Sequence, residues 1–424
     1  MVKEDRLIRD CLRLDINQKI AEEVKAGIGP DLNWAYFINR ARQEKVSPLI
    51  YKGLTKIDPA RSKVPADIWQ ELESFYYASA ARNSLLCENL NGVLSYFRRM
   101  GIEVILLKGI ALIHTIYPDI ALRPMDDMDI LIKQEDLAKT NEALNCLGYF
   151  LDPDYKDFLR GPAFSSINAL LYKPEDASHF FIHLHWHLIN SSWPLGFLAS
   201  KTDMKRIWGC AEPVKIGDTD SLTLSPKHLL IYLAQHGSCH YFSKLILLYD
   251  IARVLQYYKD RLNWELVAEE AKRSGLSYIV YNVLVLASKI LNIEIPQMGK
   301  LRMKKYTLAQ EVVAFFIRKG IRSYKLSYSA YFFLQPGFLT KIRFIEKTIF
   351  PSPVVLAQYF NLPVSEIRLG HYYRRFIDNF YRFLTLAVLS ICLSISSMIT
   401  GSYVNCYSSG IKQPNASVGI ISLF

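Results

Sequence analysis

The sequence predicts an α+β protein: a small mixed-sheet domain embedded between helical segments. Three observations predict it. Stretches with apolar residues at three- and four-residue spacing fill both ends of the chain. Short apolar strand-like runs cluster only between residues 101 and 190. One of those runs opens on a group of carboxylates, Arg-Pro-Met-Asp-Asp-Met-Asp-Ile-Leu-Ile from Arg123 to Ile132. With 424 residues the chain is too long for one small core, so several domains are expected. The reading gives an N-terminal helical region (1–100), the α/β domain (101–215), a helical domain (216–345), a C-terminal helical extension (346–382) and an apolar tail (383–424).

In chain order, Trp34, Phe37, Ile38 and Ala41 lie on one face of a helix that breaks at Pro48. Residues 68–101 form a long amphipathic helix ending in Arg98, Arg99 and Gly101, a basic last turn followed by a glycine stop. Ile102–Gly109 reads as a strand ending in Lys-Gly, and Ile110–Pro118 as a helix of about two turns. Asp127–Lys133 is a second strand, and Gln134–Tyr149 a helix stopping near Gly148. Phe164–Pro174 and His179–Leu188 read as two strands around a turn. From Leu222 the chain is helical again, with Ser225 and Pro226 as cap and first helical position.

Half the residues are hydrophobic and 13% aromatic, which excludes a disordered chain. The formal net charge of +11 favours an anionic partner, or else is a lysine excess spread over a solvated surface. No basic run is dense enough for a nucleic-acid stripe. Seven cysteines, with no Cys-x-x-Cys pair, argue against a disulfide framework or a zinc ribbon and suggest the cytoplasm. The charged start lacks the apolar region of a signal peptide. Residues 383–400 carry no charge over eighteen positions and follow Arg374, Arg375 and Arg382. Their length approaches a bilayer span, giving a membrane anchor with its basic flank in the cytoplasm; a buried helix or an unstructured apolar tail are the other readings.

Burying three like charges within four residues costs several kcal/mol unless something neutralises them. On a strand Asp127 and Asp129 project from one face while Met128 and Ile130 point into the core. That pair is set to hold Mg²⁺, which takes carboxylate and phosphate oxygens; an exposed acidic turn is the competing reading. Lys108 and Gly109 lie where a strand becomes a helix, suited to a phosphate through close backbone approach and a point charge. His183, His185 and His187 share a strand face, but the first and last lie about 13 Å apart, so a zinc site on that strand is not expected. His236 and His240 stand at helical i, i+4 spacing. No nucleophile motif accompanies the histidines.

The run Leu106–Ile132, with its Leu-Lys-Gly, Tyr-Pro and Arg-Pro-x-x-Asp-x-Asp elements, resembles an uncharacterised nucleotidyltransferase family of the DNA polymerase beta-like superfamily. His183–Leu188 and Leu224–Leu255 extend the likeness, with weaker flanks at Val46–Tyr51 and Phe350–Phe360. The resemblance implies a nucleotidyltransferase-like sheet domain and metal-dependent transfer of a nucleoside monophosphate from NTP to an unidentified acceptor, with Mg²⁺ or Mn²⁺. Asp127 and Asp129 match the family's metal-binding, catalytic carboxylates; Lys108 and Gly109 match its phosphate-binding turn, and Arg123 is placed to meet a phosphate. His236 and Asp250 match family positions near the nucleotide or between domains.

One departure stands out. Where the superfamily carries a third carboxylate this chain has His183. Three readings stay open. His183 replaces the acid as ligand or base, turnover has been lost and a nucleotide-binding or scaffold protein remains, or Glu175 or Asp176 supplies the acid from the turn.

Overall fold

The computed structural model describes residues 2–153, 167–176, 179–189, 196–240, 244–295, 338–360 and 362–381. Four N-terminal helices, α1 (Lys3–Cys11), α2 (Gln18–Ala26), α3 (Trp34–Gln43) and α4 (Ser47–Ile57), precede a 34-residue helix, α5 (Ala66–Arg99). Then come β1 (Ile105–Leu106), α6 (Lys108–Thr115), β2 (Asp127–Leu131), α7 (Leu137–Cys146), β3 (Tyr149–Leu151), β4 (Ala169–Pro174) and β5 (Phe181–His185). A short helix, α8 (Met204–Gly209), leads to the hairpin β6 (Glu212–Ile216) and β7 (Thr219–Thr223). The helices α9 (Pro226–Cys239), α10 (Leu245–Tyr257), α11 (Trp264–Arg273) and α12 (Ser277–Leu291) follow, and two more lie at Phe338–Ile349 and Pro353–Phe360.

Local chemistry sets these boundaries. The side chains of Asn17, Asn33 and Asn263 accept the first free N–H groups of α2, α3 and α11. Pro48 falls within the first turn of α4, where no N–H is missed, so the helix expected to break at Pro48 ends instead at Gln43. Gly101 stops α5 with φ +65°, a conformation glycine adopts without a Cβ clash.

The seven strands run in the order β3-β4-β5-β2-β1-β7-β6. The β2–β5 and β1–β7 pairs are parallel and the other four antiparallel, a mixed sheet as expected. Its extent is larger than the sequence suggests: β3, β6 and β7 were not anticipated. They sit at or near the sheet edges; β3 has only three residues, and β7 carries Thr219, Asp220 and Ser221, which mask strand periodicity. The β6–β7 hairpin continues the sheet past residue 215 to Thr223. The strand expected over Ile102–Gly109 is confined to two residues, because Lys108 already opens α6.

Alternation along the strands divides the protein. Met128, Ile130, Ile182 and Leu184 point to a core shared with α5 and α7, including Leu94 and Phe97. Ile105, Leu107 and Leu131 join a second core built by the N-terminal helices and α9–α12. Asp127, Asp129, His183 and His185 stand on this second face, so the polar side chains of β2 and β5 meet the helical segments rather than bulk solvent. Among the described residues no helix is long and apolar enough to cross a membrane. The apolar stretch 383–400 lies outside the described residues.

Phe97 is fully buried between α5 and the sheet. Phe97→Ala is expected to lower unfolding free energy by about 3–5 kcal/mol, read from urea denaturation, with the m-value unchanged.

Candidate functional site

The loop between α6 and β2 is held from outside. On α5, Ser79 donates to the Ala121 carbonyl at 2.7 Å, Asn83 to the carbonyls of Ile120 and Arg123 at 2.7 and 2.9 Å, and Arg82 Nε to that of Met125 at 3.0 Å. These bonds satisfy a buried irregular backbone and fix where β2 begins. The Arg123 guanidinium grips the Asp250 carboxylate of α10 through Nε at 3.1 Å and Nη2 at 2.9 Å, and donates to the Pro124 carbonyl at 2.8 Å. Tyr117 donates to the same carboxylate at 2.7 Å. Burial opposes the charge on Arg123, but Asp250 outweighs it and raises the guanidinium pKa. Arg123 thus borders the site while committed to Asp250, and Asp250 reaches the site through it.

Asp127, Asp129 and Lys108 line a cleft of about 310 Å³ with Gly109, Arg123, Asp126, His183, His236 and His240. Lys45, from the α3–α4 turn, and Lys244, capping α10, add two cations to its walls. The turn is carried there by Glu44. Its carboxylate accepts the Leu245 N–H at 2.6 Å at the start of α10, and it pairs with Arg40 at 2.9 Å. Lys45 pairs with Asp126 across the mouth of the cleft.

Four described residues other than glycine have positive φ, and two of them, Lys45 at +56° and Lys108 at +51°, line this cleft. Backbone strain of this kind gathers at functional sites. A Cβ on Gly109 would meet Met125 Sδ at 2.8 Å and Cγ at 2.9 Å, and Arg123 Nη1 at 3.2 Å. Gly109 is therefore packed closely against Met125 and the guanidinium of Arg123.

Asp129 is the focus. It is 5% exposed, and one carboxylate oxygen, Oδ1, meets Lys108 Nζ at 2.5 Å, His185 Nε2 at 3.0 Å and His183 Nδ1 at 3.4 Å. Strand register produces this, since Asp129 pairs with His183 across the parallel β2–β5 ladder and His185 follows on the same face. Burial pushes the Asp129 carboxyl up, but Lys108 and the two histidine hydrogen bonds outweigh it and hold it well below the usual range. Asp127 goes the other way: burial first, then the neighbouring Asp129 charge, raise its pKa. Burial lowers His236 well below its ordinary value, with Lys108 adding to the effect. The imidazoles of His236 and His240 stand 4.5 Å apart, between centroids, on α9 and its C-cap.

Asp129, His183 and His185 offer three ligand atoms within 4.8 Å of one another and could hold a metal ion. The expectation against a metal on the histidine strand rested on the reach from His183 to His187. The cluster uses His183, His185 and a carboxylate from the next strand instead, while His187 Nδ1 accepts the Ile189 N–H. One carboxylate with two imidazoles suits Mn²⁺ or Zn²⁺ better than Mg²⁺. Glu175 and Asp176, the other candidates for a third acid, line a separate cavity with Gly148 and His179. The sequence reading also left Lys45, Lys244 and His185 without a role; only the alternation that puts His185 on the face of His183 pointed to any of them.

The fold and the cleft define a nucleotidyltransferase-like protein: a mixed sheet with an Asp-x-Asp strand beside a Lys-Gly helix start. Residues 30–292 match the family described as uncharacterised nucleotidyltransferase, and the chain belongs to that family. No curated protein and no solved structure matches it.

Removing Asp250 leaves a buried guanidinium unpaired, so Asp250→Ala is expected to destabilise by about 3–5 kcal/mol. The double change Arg123→Met/Asp250→Leu should recover most of that in the same denaturation assay. A pH effect follows from His185 and His228, both lowered by burial from 6.5 to about 4. Each binds its proton more readily when unfolded, so stability held above pH 6.5 is lost as pH falls toward 4. Urea midpoints should drop across that window, and less steeply in His228→Gln.

Proposed function

We propose that this protein transfers a nucleoside monophosphate from NTP to an acceptor, using a divalent cation held at Asp127 and Asp129 with His183 and His185 in place of a third carboxylate. The observation that carries the proposal is the convergence of Lys108, His183 and His185 on Asp129 within a cleft lined by Asp127. A bound divalent cation would neutralise triphosphate charge and polarise the attacked phosphorus. The chain's own groups do the rest. Asp127 and Asp129 supply the oxygen ligands, and Gly109, packed on Met125 and Arg123, seats the start of α6 beside them, where its N–H groups would meet a phosphate. Lys108, Lys45 and Lys244 offer ammonium groups along the triphosphate. His183, a third exposed at its side chain, completes the ligand set beside Asp129 and His185. His236 and His240 complete the lining.

A second reading is favoured by one observation. The Lys108 ammonium rests on the Asp129 oxygen that a cation would use, and the described part of β5 brings no carboxylate to the cleft. In that reading the protein binds nucleotide without turning it over.

Calorimetric titration of the full chain with the four non-hydrolysable NTP analogues, with Mn²⁺, Mg²⁺ or EDTA, tests both. Metal-dependent binding that Asp127→Asn/Asp129→Asn abolishes is expected. Transfer of label from α-³²P-NTP should then fall by about 100-fold or more in Asp129→Asn. Metal-dependent binding with no transfer in the wild type selects the second reading. No binding of any analogue would sink both.

A further inference from the structure

A second cavity, of about 440 Å³, is lined in part by Tyr117 and shares no lining residue with the cleft. Helices α1, α4 and α10 and the loop after α6 wall it. Four cations, Arg13, Lys52, Lys56 and Arg253, line it against a single acid, Asp119. That acid is already engaged: it accepts the Tyr76 hydroxyl and, at 2.9 Å, the Ala121 N–H. Lys52 stands 3.9 Å from it and Arg13 pairs with Asp15 at 3.4 Å, so among the described residues Lys56 and Arg253 have no carboxylate partner.

Lys52 and Lys56 are four residues apart on α4, so they share one face and repel. Arg253 carries a further unmet demand. Nη2 donates to the Ile116 carbonyl at 2.6 Å and Nη1 to Gln256, whereas Nε is buried without a hydrogen-bond partner. An anion in this cavity would offset the charge of Lys52, Lys56 and Arg253. The remaining wall is apolar, with Leu49, Leu122 and Tyr249 beside Tyr117. A concave site of this size with converging cations and an aromatic side fits a small molecule better than a polymer.

We propose that this cavity is a second binding site, distinct from the nucleotide cleft, for a phosphorylated small molecule. Its phosphate lies among Lys52, Lys56 and Arg253, and its organic part lies against Tyr117 and Tyr249. The assignment rests on this cavity's own residues and stands whether or not the cleft transfers nucleotides.

The test is calorimetric titration of the full chain with phenyl phosphate and with inorganic phosphate, both in EDTA so that no metal site contributes. One saturable site that prefers phenyl phosphate is expected. Lys52→Ala/Lys56→Ala should weaken it by about tenfold or more. Lys45→Ala, in the cleft, should leave it unchanged. Both lysines of the double variant are exposed on a helix surface, so its thermal midpoint should stay near that of the wild type and report folding independently. The proposal is overturned by absence of saturable binding, by equal affinity for the two probes, by binding that survives Lys52→Ala/Lys56→Ala intact, or by binding that Lys45→Ala removes.

Discussion

The bond between Arg123 and Asp250 is the contact on which the site depends. It joins the loop that launches β2 to a helix more than a hundred residues later, and both partners are buried. A bidentate guanidinium–carboxylate pair tolerates little rotation, so it sets orientation as well as distance. α5 holds the same loop by its carbonyls from the other side. Between these two restraints the strand has one starting point, and the aspartates that follow have one direction.

From that fixed start, strand periodicity does the sorting. Residues two apart share a face, so Asp127 and Asp129 turn together toward the helical segments while Met128 and Ile130 enter the core under α5. The parallel neighbour β5 obeys the same rule and delivers His183 and His185 beside Asp129. A buried carboxylate is tolerable here because three nitrogen groups meet one of its oxygens. The opposite shifts of Asp127 and Asp129 have a simple origin: burial raises both, but Lys108 and the two histidines gather on Asp129, and Asp127 is left with burial and a neighbouring negative charge.

The parts of this arrangement that the sequence displayed are those with strong local signatures. The helix α5 shows in its spacing and its Gly101 stop, and β2 in its alternation of Asp with apolar residues. His183 could be matched to Asp129 only through resemblance, because register between strands fifty residues apart leaves no local trace. His236 and Asp250 came the same way. The strands β3, β6 and β7 escaped because β3 has only three residues, β6 and β7 carry several polar ones, and all lie at or near the sheet edges, where burial imposes little pattern. Lys45 was invisible for a different reason. Nothing around it suggests chemistry, and its place follows from Glu44 capping a helix two hundred residues away.

Lys45 and Lys108 share a left-handed backbone, in which most side chains are disfavoured and glycine is at ease. At each position glycine would ease the backbone but remove an ion pair, to Asp126 from Lys45 and to Asp129 from Lys108. Sequence drift toward local stability at these two points therefore erodes the positive wall of the cleft.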